Sequence, residues 1–177
     1  MTAIATLVED ARAAARRIVE EFPVKSAPVP VERIVKGQGI VLQYAPLADD
    51  LSGMAYVREG VRIIGVNALH HPNRQRFTIA HELAHHELHA KQLLTDEVHV
   101  DKAFRVMLRD DVAAQGVDRL EIQANAFAAE LLMPSIFLKD LVDAAGLDLD
   151  DDKRLEALAR KFSVSTSALR YRLGDRG

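Results

Sequence analysis

The sequence predicts an α+β fold: a mostly helical core that carries a small, mainly antiparallel sheet of three strands, followed by a helix-turn-helix-like C-terminal tail. Three observations lead there. Long stretches with apolar residues three and four apart occur at Thr2–Phe22, Arg76–His89 and Glu121–Met133. Three short apolar runs, Ile40–Tyr44, Met54–Val57 and Val61–Val66, fall together between the first two of these. Beyond residue 150, two short periodic stretches are separated by Ser163 and Val164. At 177 residues the chain suits one domain over 1–150, with the tail 151–177 packed on it, and burial of about 70% of the unfolded surface.

The first helix, Thr2–Phe22, lines up Ile4, Leu7, Val8, Ala11, Ala15, Ile18 and Val19 on one side and is expected to serve packing. Pro23, Pro28 and Pro30 break the chain into an extended linker, and Val31–Lys36 makes a short helix closed by Gly37. Glu59-Gly60 is the hairpin turn between the second and third strands. Asn67 ends the third strand before a turn at His71-Pro72-Asn73, where His70 and His71 read as solvated loop residues. Arg74 and Arg76 are expected to anchor the start of the next helix through an acidic partner.

That helix contains His81, Glu82, Leu83, Ala84 and His85, the pattern HExxH. Residues four apart lie one turn apart on the same helix face, so the two imidazoles can converge on one ion. Zinc suits them, because it takes neutral imidazole nitrogens and, in catalytic sites, keeps one tetrahedral position open. Glu82 would be the general base for a water whose pKa such an ion lowers from about 15.7 towards about 7. Ile79, Ala80, Leu83, Ala84 and Leu88 form an apolar stripe that would hold the helix in the core. His86, about 100° round from His85, reads as exposed, and His89, two turns from His81, as drifting away from the metal.

A third ligand is expected from Glu121, on a helix stopped near Pro134, completing a His₂Glu site. Glu130 on the same helix is the alternative, decided by position alone. Asn125, one turn from Glu121, could hydrogen-bond a ligand histidine and fix its ring. Met54, Ala55 and Tyr56 are the candidate edge strand for an extended substrate, and the Tyr56 phenol could donate to an oxyanion, though a half-buried strand tyrosine is the plainer reading.

The stretches RFTIAHELAHHELH and EIQANAFAAELLMP, with LSGMAYV and IIGVN upstream, resemble the ImmA/IrrE family of bacterial and phage zinc metallo-endopeptidases over about residues 25 to 140. The resemblance implies a zincin-like metallopeptidase core, His81, His85 and Glu121 as Zn2+ ligands, and Glu82 as catalytic acid/base. It also implies a protein substrate, a helix-turn-helix transcriptional repressor cut to derepress a regulon or mobile element. The segment Lys91–Asp118 between the motifs is longer than the family pattern; Lys102–Leu108 within it reads as helical, and Asp118 as an N-cap. Because the chain ends soon after the core, the sensor domain that some members carry is expected to be absent.

Pro134 opens a further helix ended by Gly146, and the acidic run Leu147–Asp152 precedes the tail. From Lys153 onward there are seven basic residues against Glu156 and Asp175, and Ser165 is placed to cap the second tail helix. Ser165, Thr166, Ser167 and Arg170 could face base edges, but a single such unit supplies few phosphate contacts, so packing or substrate docking is preferred to DNA binding. The second class of function that stands is a non-catalytic anti-repressor or DNA-binding regulator with a structural metal. A net charge of −3 and the absence of Trp give no general pull towards nucleic acid. The absence of Cys removes thiol chemistry and suits a reducing, cytoplasmic setting. Charged residues throughout Met1–Phe22 leave no signal-peptide core, and no span suits a membrane.

Overall fold

A computed structural model of the chain describes residues 3–93, 99–101, 117–145 and 151–174. In order it contains α1 (Ala3–Glu21), α2 (Val31–Gly37), β1 (Val41–Ala45), β2 (Gly53–Arg58), β3 (Val61–Asn67), α3 (Pro72–Leu88), α4 (Ala90–Leu93), β4 (His99–Asp101), α5 (Val117–Leu132), α6 (Ser135–Ala145), α7 (Asp152–Phe162) and α8 (Thr166–Gly174). The fold is α+β, with α3 in contact with α5, α2, β2 and β3, while α1 packs chiefly on α5. Phe77 to His86 are therefore buried without interruption, where the sequence predicted only a stripe. One apolar core runs from Ala11 and Ile18 of α1 through Leu83 and Phe127 to Leu155, Phe162 and Leu169 of the last two helices.

The sheet keeps the mainly antiparallel character expected of it but adds a fourth strand and one parallel pair. It has four, in the order β1-β3-β2-β4, and is mixed. β1 pairs parallel with β3, with Val41 opposite Ile63. The β2–β3 hairpin is as predicted: Glu59 and Gly60 take φ of 52° and 78°, the two positive values that a tight two-residue hairpin turn requires. β4 comes from the long segment after α4 and pairs antiparallel with β2, Asp101 opposite Gly53 and His99 opposite Ala55. The first tail-ward stretches of that segment named from sequence, Lys102–Leu108 among them, lie outside the described residues, as do Gly146 and Leu147–Asp150. Val117 already lies in α5, so Asp118 is a first-turn residue and not the cap.

Local chemistry explains the element ends. His71, read as a loop residue, caps α3: its Nδ1 accepts from the Asn73 N–H at 3.1 Å, and Pro72 takes the first helical position. Gly37 ends α2, but not through a left-handed backbone. An added Cβ there would lie 2.7 Å from the Phe22 ring, so glycine permits close packing, and Gly39 supplies the positive φ of 73°. The Asp151 carboxylate accepts from the Arg154 N–H and the Ser165 hydroxyl from the Ala168 N–H, capping α7 and α8, which are joined through Ser163 at φ 54°.

The tail is tied to the rest by buried polar contacts. Asn73 Nδ2 donates to the Val164 carbonyl at 3.1 Å and Arg76 to the Ser163 carbonyl at 3.3 Å. Arg172, 3% exposed, reaches Glu130, the Ser135 hydroxyl and the Met133 carbonyl. The acidic partner expected for Arg76 is Glu32, at 3.5 Å, with the Val29 carbonyl at 2.8 Å; Arg74 instead donates to Ser52 Oγ at 2.8 Å. Ile4, assigned to the packing side of α1, is half-exposed.

Candidate metal centre

His81 and His85 face one another across one turn of α3, their Nε2 atoms 3.2 Å apart. α5 crosses α3 and brings Glu121 to both: Oε2 lies 3.2 Å from His81 Nε2 and Oε1 3.5 Å from His85 Nε2. These three residues form a group whose donor atoms could hold one metal ion. The spacing is a test of fit. Tetrahedral zinc with ligand bonds of about 2.0–2.1 Å requires ligand atoms about 3.3–3.4 Å from one another, and the three observed separations bracket that value. The donor chemistry agrees: His81 Nδ1 lies 3.1 Å from Asn125 Oδ1, an acceptor, so the ring proton belongs on Nδ1 and Nε2 presents a bare lone pair towards the other two ligands. Lone pairs crowded in this way suit a cation between them. The histidines are buried while Glu121 is 27% exposed, so the site opens on the α5 side.

Glu82 is fully buried. It packs beneath the start of β2, where a Cβ on Gly53 would lie 3.5 Å from Glu82 Cγ, 2.3 Å from Thr78 Cγ2 and 2.8 Å from the Gly65 carbonyl oxygen. Gly53 is thus what lets the strand lie directly on the helix that carries Glu82, and the only hint of this in the sequence is a glycine inside an apolar run.

One reading changes here, the open edge strand, and two alternatives give way to the preferred ones. Glu130, the alternative ligand, is occupied with Arg172 and accepts from the Ser135 N–H and hydroxyl, so it secures the α5–α6 junction. Met54, Ala55 and Tyr56 are not an open edge, because β4 takes the partner position along Gly53–Ala55. Gly53 and buried Ala55 face α3, and strand alternation turns Tyr56 to the opposite face, where its phenol donates to Gln43 Oε1 at 3.3 Å and not into the metal site.

The two remaining histidines of the helix are not spectators. His86 is buried and donates from Nε2 to the Ile63 carbonyl of β3 at 2.9 Å; burial pushes its pKa below the ordinary histidine value. His89 is also buried, with Nδ1 3.0 Å from His85 Nδ1 and Nε2 3.2 Å from Gln123 Oε1. Sequence reasoning missed Gln123 altogether, while His89, expected to drift from the metal and at most touch the edge of the site, stands against His85. Asn67 was read merely as a strand end. It is fully buried, donating to the Ala48 and Leu51 carbonyls and accepting from the Leu47 and Leu69 N–H groups, which shapes the loop ahead of β2.

A helix pair with HExxH on one member and a carboxylate on the other is the arrangement of a metallopeptidase of the His₂Glu type. The chain belongs to the Peptidase_M78 family, described as the IrrE N-terminal-like domain, which it matches over residues 35–174. It is 31% identical over 139 residues to the radiation response metalloprotease IrrE of Deinococcus deserti, covering 78% of this chain and 44% of that protein. To the protein of the same name from Deinococcus radiodurans it is 28% identical over 114 residues, covering 64% of this chain and 31% of the relative. The chain thus spans less than half the length of these curated relatives. A solved structure titled Mycobacterium tuberculosis transcriptional regulator shares the fold, with a TM-score of 0.63 at 20% identity over 93% of this chain and 46% of that one. Among the described residues, no helix is long and apolar enough to cross a membrane.

Proposed function

We propose that the chain is a zinc-dependent endopeptidase domain acting in the cytoplasm on a protein substrate, a helix-turn-helix repressor whose cleavage derepresses its genes. The observation that carries this reading is the meeting of His81, His85 and Glu121 donor atoms within 3.2–3.5 Å, with Glu82 buried next in sequence to the first of them. Family membership supports the peptidase class, and the resemblance stated above supplies the repressor. His81, His85 and Glu121 would hold the ion, which when bound polarises the scissile carbonyl and acidifies water. Asn125 holds the His81 ring by its Nδ1–H. Glu82 takes the proton of the attacking water and hands it to the departing amine, so that one carboxylate serves as base and then acid. The tail 151–177 acts in this reading as a docking element packed on the core domain 1–150, its exposed Ser165, Thr166, Ser167 and Arg170 available to a protein partner.

The test is co-expression with the small helix-turn-helix protein encoded nearest the gene, followed on a gel. Shortening of that protein by the wild-type chain and not by Glu82→Gln is the expected result, since a neutral amide cannot accept water's proton. Persistent cleavage by Glu82→Gln would exclude the mechanism. A Glu82→Gln variant that still derepresses would favour a non-catalytic anti-repressor.

A further inference from the structure

His89 and Gln123 lie outside the ligand set, yet they extend it. His85 turns Nε2 towards His81 and Glu121, and its other ring nitrogen, Nδ1, lies 3.0 Å from His89 Nδ1. His89 in turn places Nε2 3.2 Å from Gln123 Oε1. His89 cannot share the ion, because it faces the side of the His85 ring opposite Nε2.

We infer that His89 and Gln123 form a tautomer-setting relay that prepares His85 as a metal ligand; the inference rests on the metallopeptidase reading of the same site. The Gln123 amide oxygen can only accept, so His89 carries its proton on Nε2 and leaves Nδ1 as an acceptor. That acceptor takes the His85 Nδ1–H, which leaves His85 Nε2 bare towards the ion. On His81, Asn125 does the same in one step, with Oδ1 accepting from Nδ1 at 3.1 Å. Each ligand histidine is thus locked in one tautomer by an α5 amide, His81 directly by Asn125 and His85 through His89 by Gln123, the two amides lying two residues apart. The relay also spans α3 and α5, so the helix crossing that presents Glu121 is the one that orients both rings. His89 and Gln123 are positioning residues, acting through His85.

Outer partners of ligand histidines typically contribute 10- to 100-fold in metal affinity. Zinc affinity measured by competition with a chromophoric chelator is therefore the readout, on full-length chain with His81→Ala as the non-binding control. His89→Phe, which keeps a ring and removes the acceptor, is expected to weaken zinc binding about 10- to 100-fold. His89→Asn, whose side-chain oxygen can stand where Nδ1 stood, is expected to restore most of the loss, which a purely space-filling role would not do. Gln123→Met, at a half-buried position less demanding of the fold, should weaken binding in the same direction. In the zinc-loaded wild type, long-range nitrogen–proton correlation should show His85 protonated on Nδ1 and His89 on Nε2. Wild-type binding with affinities of His89→Phe and Gln123→Met within error of it, or the opposite tautomers, would overturn the relay and leave the peptidase reading standing. A wild-type chain that takes up no zinc would overturn both.

Discussion

At the residue scale, glycine and asparagine carry more of the site than their chemistry suggests. A methyl group on Gly53 would strike Thr78 Cγ2 and the Gly65 carbonyl oxygen, so Gly53→Ala must push β2 off α3. Overpacking of this kind costs about 1–3 kcal/mol. The expected outcome is a lower urea midpoint by circular dichroism, together with a fall in peptidase activity larger than the fall in zinc affinity, because the strand that must shift is the one packed over Glu82 and not one that touches the ligands. Asn67→Ala removes the side-chain partner of the Ala48 and Leu51 carbonyls and of the Leu47 and Leu69 N–H groups, which are part-buried. It is expected to cost on the order of 3 kcal/mol by the same measurement. The HExxH pentad was legible at this scale, since a one-turn spacing is a property of any helix. His86 was not: only the approach of the Ile63 carbonyl gives it a partner and a buried place.

At the scale of elements, α1 to α3 and α5 to α8 were read to within a few residues and α4 was not, and the hairpin turn was correctly placed because two positive φ values at Glu59-Gly60 are a local demand. The sheet was misjudged for a reason of range. The β1–β3 pairing is parallel and skips β2, while β4 returns from more than thirty residues away, and neither leaves a signature in the strands' own apolar alternation. Docking of α8 is likewise a long-range matter: Arg172 is buried against Glu130 and Ser135, with Arg16 at 4.0 Å from the same carboxylate. Arg172→Ala is expected to cost about 3 kcal/mol, the low end for a broken buried pair because Arg16 stands near. Pairing it with Glu130→Gln should recover part of that loss in a double-mutant cycle, and strict additivity would show that the two residues do not act together.

For the whole molecule, a metal held by His81, His85 and Glu121 should couple to stability, because these residues come from α3 and α5, which pack closely on one another. Free zinc at about a thousand times its Kd adds about 4 kcal/mol to the folded state, which for a chain of this length raises Tm by about 8–16 °C. Thermal melts with and without chelator measure this, and His81→Ala is expected to abolish the difference. An equal shift in that variant would place the zinc effect elsewhere. The melt also separates stability from chemistry, since Glu82→Gln should retain the full zinc-dependent rise.

The amino-acid sequence alone determined the two helices that carry His81, His85 and Glu121, and the face shared by His81 and His85, because each depends on spacing within one element and the 3.6-residue period is local. Tertiary structure decided that Glu121 and not Glu130 meets the histidines, that β4 closes the β2 edge, that Tyr56 points away, and that His89 and Gln123 stand behind His85. Those outcomes depend on how α5 crosses α3 and on which strands pair, and such geometry is set by packing among residues far apart in the chain, which no local period encodes.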